Sequence, residues 1–249
     1  MLPASSGKEG SGHVEAADLN RRRTVEGYAL LSAVAAAMLI ILAWNGGQQS
    51  PGPDLMDKVI VSLAFMASCA WGIIKSYRPG FLRRKRGADP KDQTAKAFRP
   101  VYVAHHPDCG RFDDRVVVIK GGKYCGGCMG LLLGSLIALM MVSAYLLTPG
   151  LGATEGVLTL SFGIGLVALC LLEIGMDRGA PWTHVLANLL LVLGFFFVTI
   201  GVLSSTGSVA YALIAILVCY LWLDTRIQLS DWRHADTCGS CGRGCGYYL

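Results

Sequence analysis

Charge is scarce in this sequence. Asp, Glu, Lys and Arg make up only 16% of 249 residues, hydrophobic residues make up 53%, and mean hydropathy is +0.49. A soluble domain carries roughly 25% charged residues because its surface must be wetted, so this composition sets an ordinary soluble fold aside and points to the membrane class. A cleavable signal peptide is not evident either. The first 26 residues are polar, with Ser5, Ser6, Gly7, Gly10, Ser11 and Gly12 ahead of any apolar run, and read as a disordered tail. The one dense basic run, Arg83, Arg84, Lys85 and Arg86, lacks interleaved aromatics and any nucleic-acid module. It excludes nucleic acid as the expected partner and reads instead as a juxtamembrane patch attracted to anionic lipid headgroups.

What the sequence has is long apolar runs. A hydrocarbon core of roughly 30 Å needs about 20 apolar residues per helical span. Such runs extend over Tyr28 to Trp44, Lys58 to Ser76, Met129 to Leu147, Gly156 to Ile174, Trp182 to Leu203 and Val209 to Leu223. With six alternating spans, all of the 22 lysines and arginines except Lys58 fall on one side of the membrane. Arg21, Arg22 and Arg23 against the first span add an anchor on that side. This asymmetry puts both termini and the loop from Tyr77 to Tyr124 in the cytosol. Removing one span would scatter Arg178 or the basic loop to the opposite side, so the sorting supports both the span count and the direction.

The expected protein is therefore an all-α integral membrane protein of about six transmembrane helices, multi-pass in the plasma membrane. Its expected organisation is a disordered cytosolic tail over residues 1–26, a transmembrane hairpin over 27–76 and a cytosolic loop over 77–128. A four-helix transmembrane region over 129–229 and a cytosolic Cys-rich tail over 230–249 complete it.

Three of the nine cysteines, Cys69, Cys170 and Cys219, lie inside apolar spans and read as small hydrophobes. The other six lie in two polar segments assigned to the cytosol, where thiols are held reduced and close spacing favours metal ligation over disulfides. The first set is His105, His106 and Cys109, then fifteen residues, then Cys125 and Cys128. His-x2-Cys followed by Cys-x2-Cys is the spacing of a zinc knuckle, in which each pair closes a turn around one edge of a tetrahedral ion. Between the pairs, Arg115 to Ile119 reads as a strand, Gly121-Gly122 as a turn, and Lys123 and Tyr124 as the return, so a β-hairpin can bring the pairs together. Cys125 and Cys128 also have the Cys-x-x-Cys form of a redox dithiol, without the βαβ pattern of a thioredoxin-like domain. The second set is His234, Cys238, Cys241 and Cys245 in a glycine-rich tail that holds too little apolar content to fold without an ion. Zinc is the expected metal. An iron–sulfur cluster is the alternative, partly ligated by Cys238, Cys241 and Cys245.

The connection between the fourth and fifth spans is also chemically dense. Glu173 and Asp177 share a helical face, as do His184 and Asn188. Ionisable groups at the edge of a span are costly, which makes Asp177 and His184 candidates for a proton relay, for catalysis or for a metal. Against this, Asp177 and Arg178 also read as interfacial turn residues and Trp182 as an interface anchor. Gly130, Gly134 and Ala138 recur at four-residue intervals on the third span and predict close helix packing behind the first cysteine set.

The run from His105 to Gly134 resembles an uncharacterised family of prokaryotic membrane proteins, domain of unknown function 2085. The resemblance rests on His105-His106-Pro107, Arg111-Phe112 and Cys125-x-x-Cys128-x-Gly130 at the head of a helix. A later Asp-Gly motif of that family aligns with Asp177-Arg178-Gly179, so the resemblance extends from Tyr102 to about Phe197. This chain has His105 where the family has cysteine, and it lacks the arginine between the two later cysteines. The resemblance implies a membrane protein with functional cysteines and brings no activity with it.

Three functions remain open on these residues. The first is a membrane protein whose cytosolic Cys/His metal sites are structural or dock a cytosolic protein partner, as closed four-ligand sites favour. The second is a membrane-bound redox or metal-dependent enzyme using Cys125 and Cys128, or Asp177 and His184. The third is a metal-handling permease, which the near absence of ionisable residues at mid-depth in the spans disfavours.

Overall fold

The computed structural model describes residues 9–46, 52–77, 102–103, 112–176 and 180–239. Helices α1 (Glu9–Gly46) and α2 (Leu55–Tyr77) come first. Three strands follow, β1 (Tyr102–Val103), β2 (Val116–Ile119) and β3 (Gly122–Cys125), then α3 (Gly126–Leu147), α4 (Ala153–Met176), α5 (Pro181–Thr206) and α6 (Val209–Gly239). All six helices are long and apolar enough to cross a membrane, as expected of a multi-pass helical membrane protein.

Two of the helices outrun the apolar segments that predict them. α1 has 38 residues and α6 has 31, about 57 and 46 Å at 1.5 Å per residue, well beyond a hydrocarbon core of roughly 30 Å. α1 begins at Glu9 inside the stretch expected to be a tail, and α6 continues past His234 to Gly239. Helix propagation adds one hydrogen bond per residue without a new nucleation cost. Good helix formers next to a formed span, such as Glu15, Ala16, Ala17 and Leu19, are therefore recruited.

The chain divides into two compact units. One comprises residues 1–38 and 218–249, the other residues 39–217. In the first, α1 and α6 run antiparallel and are tied by polar groups. Ser32 Oγ and Thr225 Oγ1 are 2.8 Å apart, and Trp222 Nε1 donates to the Ser32 carbonyl at 3.2 Å. Ser32, Trp222 and Thr225 are all buried, so each hydroxyl and the indole N–H need these partners.

The second unit is organised around α5. In its most apolar stretch 72% of residues are buried, against 28–33% for α2, α3 and α4, so α5 is the central element among these four. α5 packs antiparallel to α4 through small residues spaced by seven. A side chain on Gly163 would sit 2.7 Å from the Val198 backbone nitrogen and 2.8 Å from the Gly194 carbonyl oxygen, and one on Gly156 would sit 2.6 Å from the Ser205 nitrogen. In the same register the Cys170 thiol donates to the Ala187 carbonyl at 2.7 Å. Cys170 is thus more than the small hydrophobe expected, because it supplies an interhelical hydrogen bond. α5 packs parallel to α3 through Gly126, Gly130 and Gly134. At Gly130 any Cβ would run into the Val185 carbonyl oxygen, and at Gly134 it would meet Leu189 Cα and Val192 Cβ at 3.0 Å. The four-residue stripe on the third span is therefore a helix-packing face, as expected.

Lys58 is buried. Its Nζ donates to the Thr148 carbonyl at 3.1 Å and lies 5.4 Å from the Tyr145 ring centroid. The cation therefore answers the carbonyl end of α3, where the helix dipole favours positive charge. Asp54 and Asp57 cap α2 reciprocally, with Asp57 N donating to Asp54 Oδ1 at 2.7 Å and Asp54 N donating to Asp57 Oδ2 at 3.3 Å.

The expected hairpin is present with its turn moved by one residue. Ile119 pairs with Gly122, so the two turn residues are Lys120 and Gly121, at φ 50° and 79°, not Gly121 and Gly122. Positive φ at both central positions matches the twist of the strands. Gly122 is instead a strand residue whose missing side chain makes room for the Tyr124 ring, 2.9 Å from where its Cβ would lie. The sequence did not predict β1, which adds a third, parallel strand with Tyr102 opposite Lys123 and Val103 opposite Tyr124. The sheet order is β1-β3-β2.

Candidate functional site

The chemistry-bearing residues of the second unit gather where the sheet runs into α3. Cys125 is the last residue of β3 and the N-cap of α3, with extended backbone, and it is buried. Cys128 follows in the first turn of the helix. Both are thiols, hydrogen-bonded to each other. β3 fixes the first sulfur by pairing Cys125 with Val116, and the packing of α3 on α5 fixes the second.

That packing also brings α5 into the site. A Cβ on Gly126 would lie 2.8 Å from the Pro181 carbonyl oxygen and 3.5 Å from His184 Cβ. One on Gly127 would lie 3.4 Å from Asn188 Nδ2 and 3.8 Å from Cys125 Sγ. Glycine at both positions lets the thiol pair and the first two turns of α5 approach to contact distance. Pro181 at the first position of α5 suits a helix start, where no backbone donor is needed.

His184 and Glu173 complete the cluster. His184 Nδ1 lies 2.8 Å from Glu173 Oε1, with side-chain exposures of 11% and 19%, so the imidazole of α5 lies against the carboxylate of α4. Asn188 is buried and turns its amide back on its own helix, donating from Nδ2 to the His184 carbonyl at 2.7 Å. The shared face of His184 and Asn188 is therefore real, but Asn188 holds the backbone of His184 and not its ring. The cross-helix Glu173–His184 pair was not legible from spacing, because the two residues lie on separate helices. Only the antiparallel register set by Gly156, Gly163 and Cys170 brings them opposite one another.

Several of the expected site residues lie outside the described residues. These are His105, His106 and Cys109 of the first set, Cys241 and Cys245 of the second, Asp177 and Arg178, and the basic run Arg83, Arg84, Lys85 and Arg86. In the first unit, His234 is buried in α6, and Cys238 follows four residues later on the same continuous helix. Among the described residues no group of three or more His, Cys, Asp or Glu side chains is arranged to hold a metal ion. Cys125 and Cys128 thus form half of a tetrahedral ligand set at most.

Compared with known protein families, curated proteins and solved structures, the chain matches none of them.

Proposed function

We propose that this multi-pass membrane protein carries a structural metal site, zinc by its ligand chemistry, in which Cys125 and Cys128 are joined by Cys109 and by His105 or His106. The parallel pairing of β1 with β3 carries this reading. Val103 lies opposite Tyr124, so the chain leaves β1 beside Cys125. It returns at Phe112, which is buried one short 3-10 turn (Asp113–Arg115) before Val116, the partner of Cys125. The strand before the segment bearing His105, His106 and Cys109 thus ends beside β3, and the chain after it leads within four residues to the partner of Cys125, which supports the reading. At no more than about 3.5 Å per residue, two or three residues of chain after Val103 and three before Phe112 reach about 7–11 Å, which is the reach the proposed ligands His105, His106 and Cys109 would have to use.

A sheet this small, made of two- and four-residue strands, gains what its core cannot supply if a metal closes it. Two thiolates, a third thiolate and an imidazole make a closed site, which is the structural kind. By the sorting of basic residues, the site and both termini face the cytosol.

The direct hydrogen bond between the two thiols favours a second reading, a redox dithiol at the same place. Elemental analysis of protein purified under reducing conditions separates the two. About one equivalent of zinc is expected from the first set, lost in Cys125→Ser and in Cys109→Ser and kept in His184→Ala. Cys241→Ser reports in the same way on the set of His234, Cys238, Cys241 and Cys245. Visible absorption in anaerobic protein would replace zinc with an iron–sulfur centre. Metal-free wild-type protein in which Cys125 and Cys128 oxidise reversibly to a disulfide would overturn the metal reading in favour of the dithiol.

A further inference from the structure

Many hydroxyls in the spans are turned back on their own helices. Ser68, Ser143, Ser161, Thr199 and Thr206 each donate to the carbonyl one turn earlier, at 2.7–3.0 Å, which satisfies a hydroxyl away from water. Ser62 and Ser204 depart from this. Both are fully enclosed, at 0% exposure, and neither Oγ has a hydrogen-bond partner in the protein. The same holds for Oη of Tyr145, at 7% exposure. Ser204 stands beside the Tyr145 phenol. A rotation that let one of these two donate to the other would use one of their two protons and leave the second without an acceptor.

Helix register gathers these groups around Lys58. α2 and α3 run antiparallel, with Gly72 against Ser135 and Lys58 against Thr148, so Ser62 lies level with Tyr145. Ser62 is also one turn from Lys58 on the same face of α2. The ammonium of Lys58 has three N–H groups, of which Thr148 takes one. That bond goes to a neutral carbonyl, and the other contact of the cation is the Tyr145 ring. Among the described residues no carboxylate is paired with Lys58. The nearest acids along the chain, Asp54 and Asp57, accept from each other's backbone at the start of α2. The cluster thus holds a buried positive charge and several donors, with no acidic group to answer them. Such a charge is costly without a counter-charge.

We infer that Lys58, Ser62, Tyr145 and Ser204 hold a small monatomic anion, chloride by its size and charge, between α2, α3 and α5. An anion accepts from every group in the set and offsets the lysine. A water would bring two more protons to donors that already lack acceptors, and no charge. Close packing around Ser204, where a Cβ on Gly156 would lie 3.0 Å from the Ser204 carbonyl carbon, favours a monatomic ion over a phosphate or a carboxylate. The site lies at the opposite end of α3 and α5 from Cys125, Cys128 and His184, so the inference stands apart from the metal reading.

The test is thermal unfolding of the full-length protein in detergent, in sodium gluconate replaced stepwise by sodium chloride or bromide at constant ionic strength. The wild-type midpoint is expected to rise with either halide and to saturate, as for a ligand bound by the folded state alone. Tyr145→Phe and Ser204→Ala each remove one O–H with little change in shape, and each is expected to raise the half-saturating chloride concentration about tenfold, the loss of one hydrogen bond to an ion. Lys58→Gln should abolish the halide dependence. Ser143→Ala is the control, because the Ser143 hydroxyl is exposed and returns to the Leu139 carbonyl, and should leave the chloride response unchanged. Where a variant unfolds too early for the midpoint to be read, equilibrium dialysis against radiolabelled chloride in the cold reads its binding directly. A wild-type midpoint that ignores halide would overturn the inference and leave the hydroxyls to an ordered water. Equal chloride responses in wild type, Tyr145→Phe and Lys58→Gln would overturn it as well, because the halide would then act elsewhere.

Discussion

Glu173 on α4 and His184 on α5 meet at 2.8 Å, a carboxylate and an imidazole on separate antiparallel helices, each nearly closed off from solvent. Their contact continues the register in which Gly156 faces Gly201, Gly163 faces Gly194 and Cys170 faces Ala187. It thus sits one turn from the buried thiol–carbonyl hydrogen bond, and through Gly126 it lies beside the Cys125–Cys128 pair. The pair ties α4 to α5 at the same end at which α5 supports the sheet.

Removing either side chain takes a close polar contact from the other where both are largely buried. His184→Ala is expected to destabilise the protein by about 2–4 kcal/mol, and Glu173→Gln by less because the amide keeps the shape of the carboxylate. The double variant should lose less than the sum of the single variants. Thermal unfolding in detergent, followed by size-exclusion chromatography of heated samples, reads all three. Additive losses would show that the two side chains do not act as a pair.

The glycines of the spans divide into those that carry close helix contacts and those that do not. Gly130→Ala places a methyl group against the Val185 carbonyl and the Asn188 Cβ and is expected to cost about 3 kcal/mol or more, since overpacking here meets backbone that cannot move aside. Gly165 has nothing within 4 Å of its missing side chain. Gly165→Ala should be neutral or stabilise by a few tenths of a kcal/mol through helix propensity. Equal midpoints for the two alanine variants in the same unfolding assay would contradict the α3–α5 packing.

Lys120 holds a positive φ at the first turn position of the hairpin, a conformation that costs a lysine and suits asparagine or glycine. Lys120→Asn should stabilise the β2–β3 hairpin by about 0.5–1 kcal/mol. The site to watch is the amide exchange of β2 and β3, which should slow in the variant. Faster exchange would mean that the lysine side chain makes a contact worth more than the strain.

The span count was legible in the sequence because the membrane imposes it. Twenty-odd apolar residues must become a helix to satisfy their own backbone, whatever lies beside them, and the six runs announce this without reference to partners. The hairpin was legible nearly as well, because Val116 to Ile119 and the glycines after it are local signals. Its turn was displaced by one residue because the choice of Gly122 as a strand residue depends on where the Tyr124 ring packs. β1 was not legible at all, since two residues have no periodicity and owe their strand to pairing with β3.

The thiol pair followed the same division. Spacing marked Cys125 and Cys128, because a Cys-x-x-Cys turn is a local arrangement that needs no knowledge of the rest of the chain. Spacing marked Asp177 with Glu173, and His184 with Asn188, for the same reason, since a helix alone sets which neighbours share a face. The sequence by itself determined the class of protein, the number and rough limits of its spans, and the residues able to bear chemistry. Only the tertiary structure decided that Glu173 meets His184, that Asn188 serves a backbone carbonyl, and that β1 delivers its chain beside Cys125. Those contacts join residues far apart in the chain, and they are set by how closely glycine-bearing helices and a small parallel strand pair can approach.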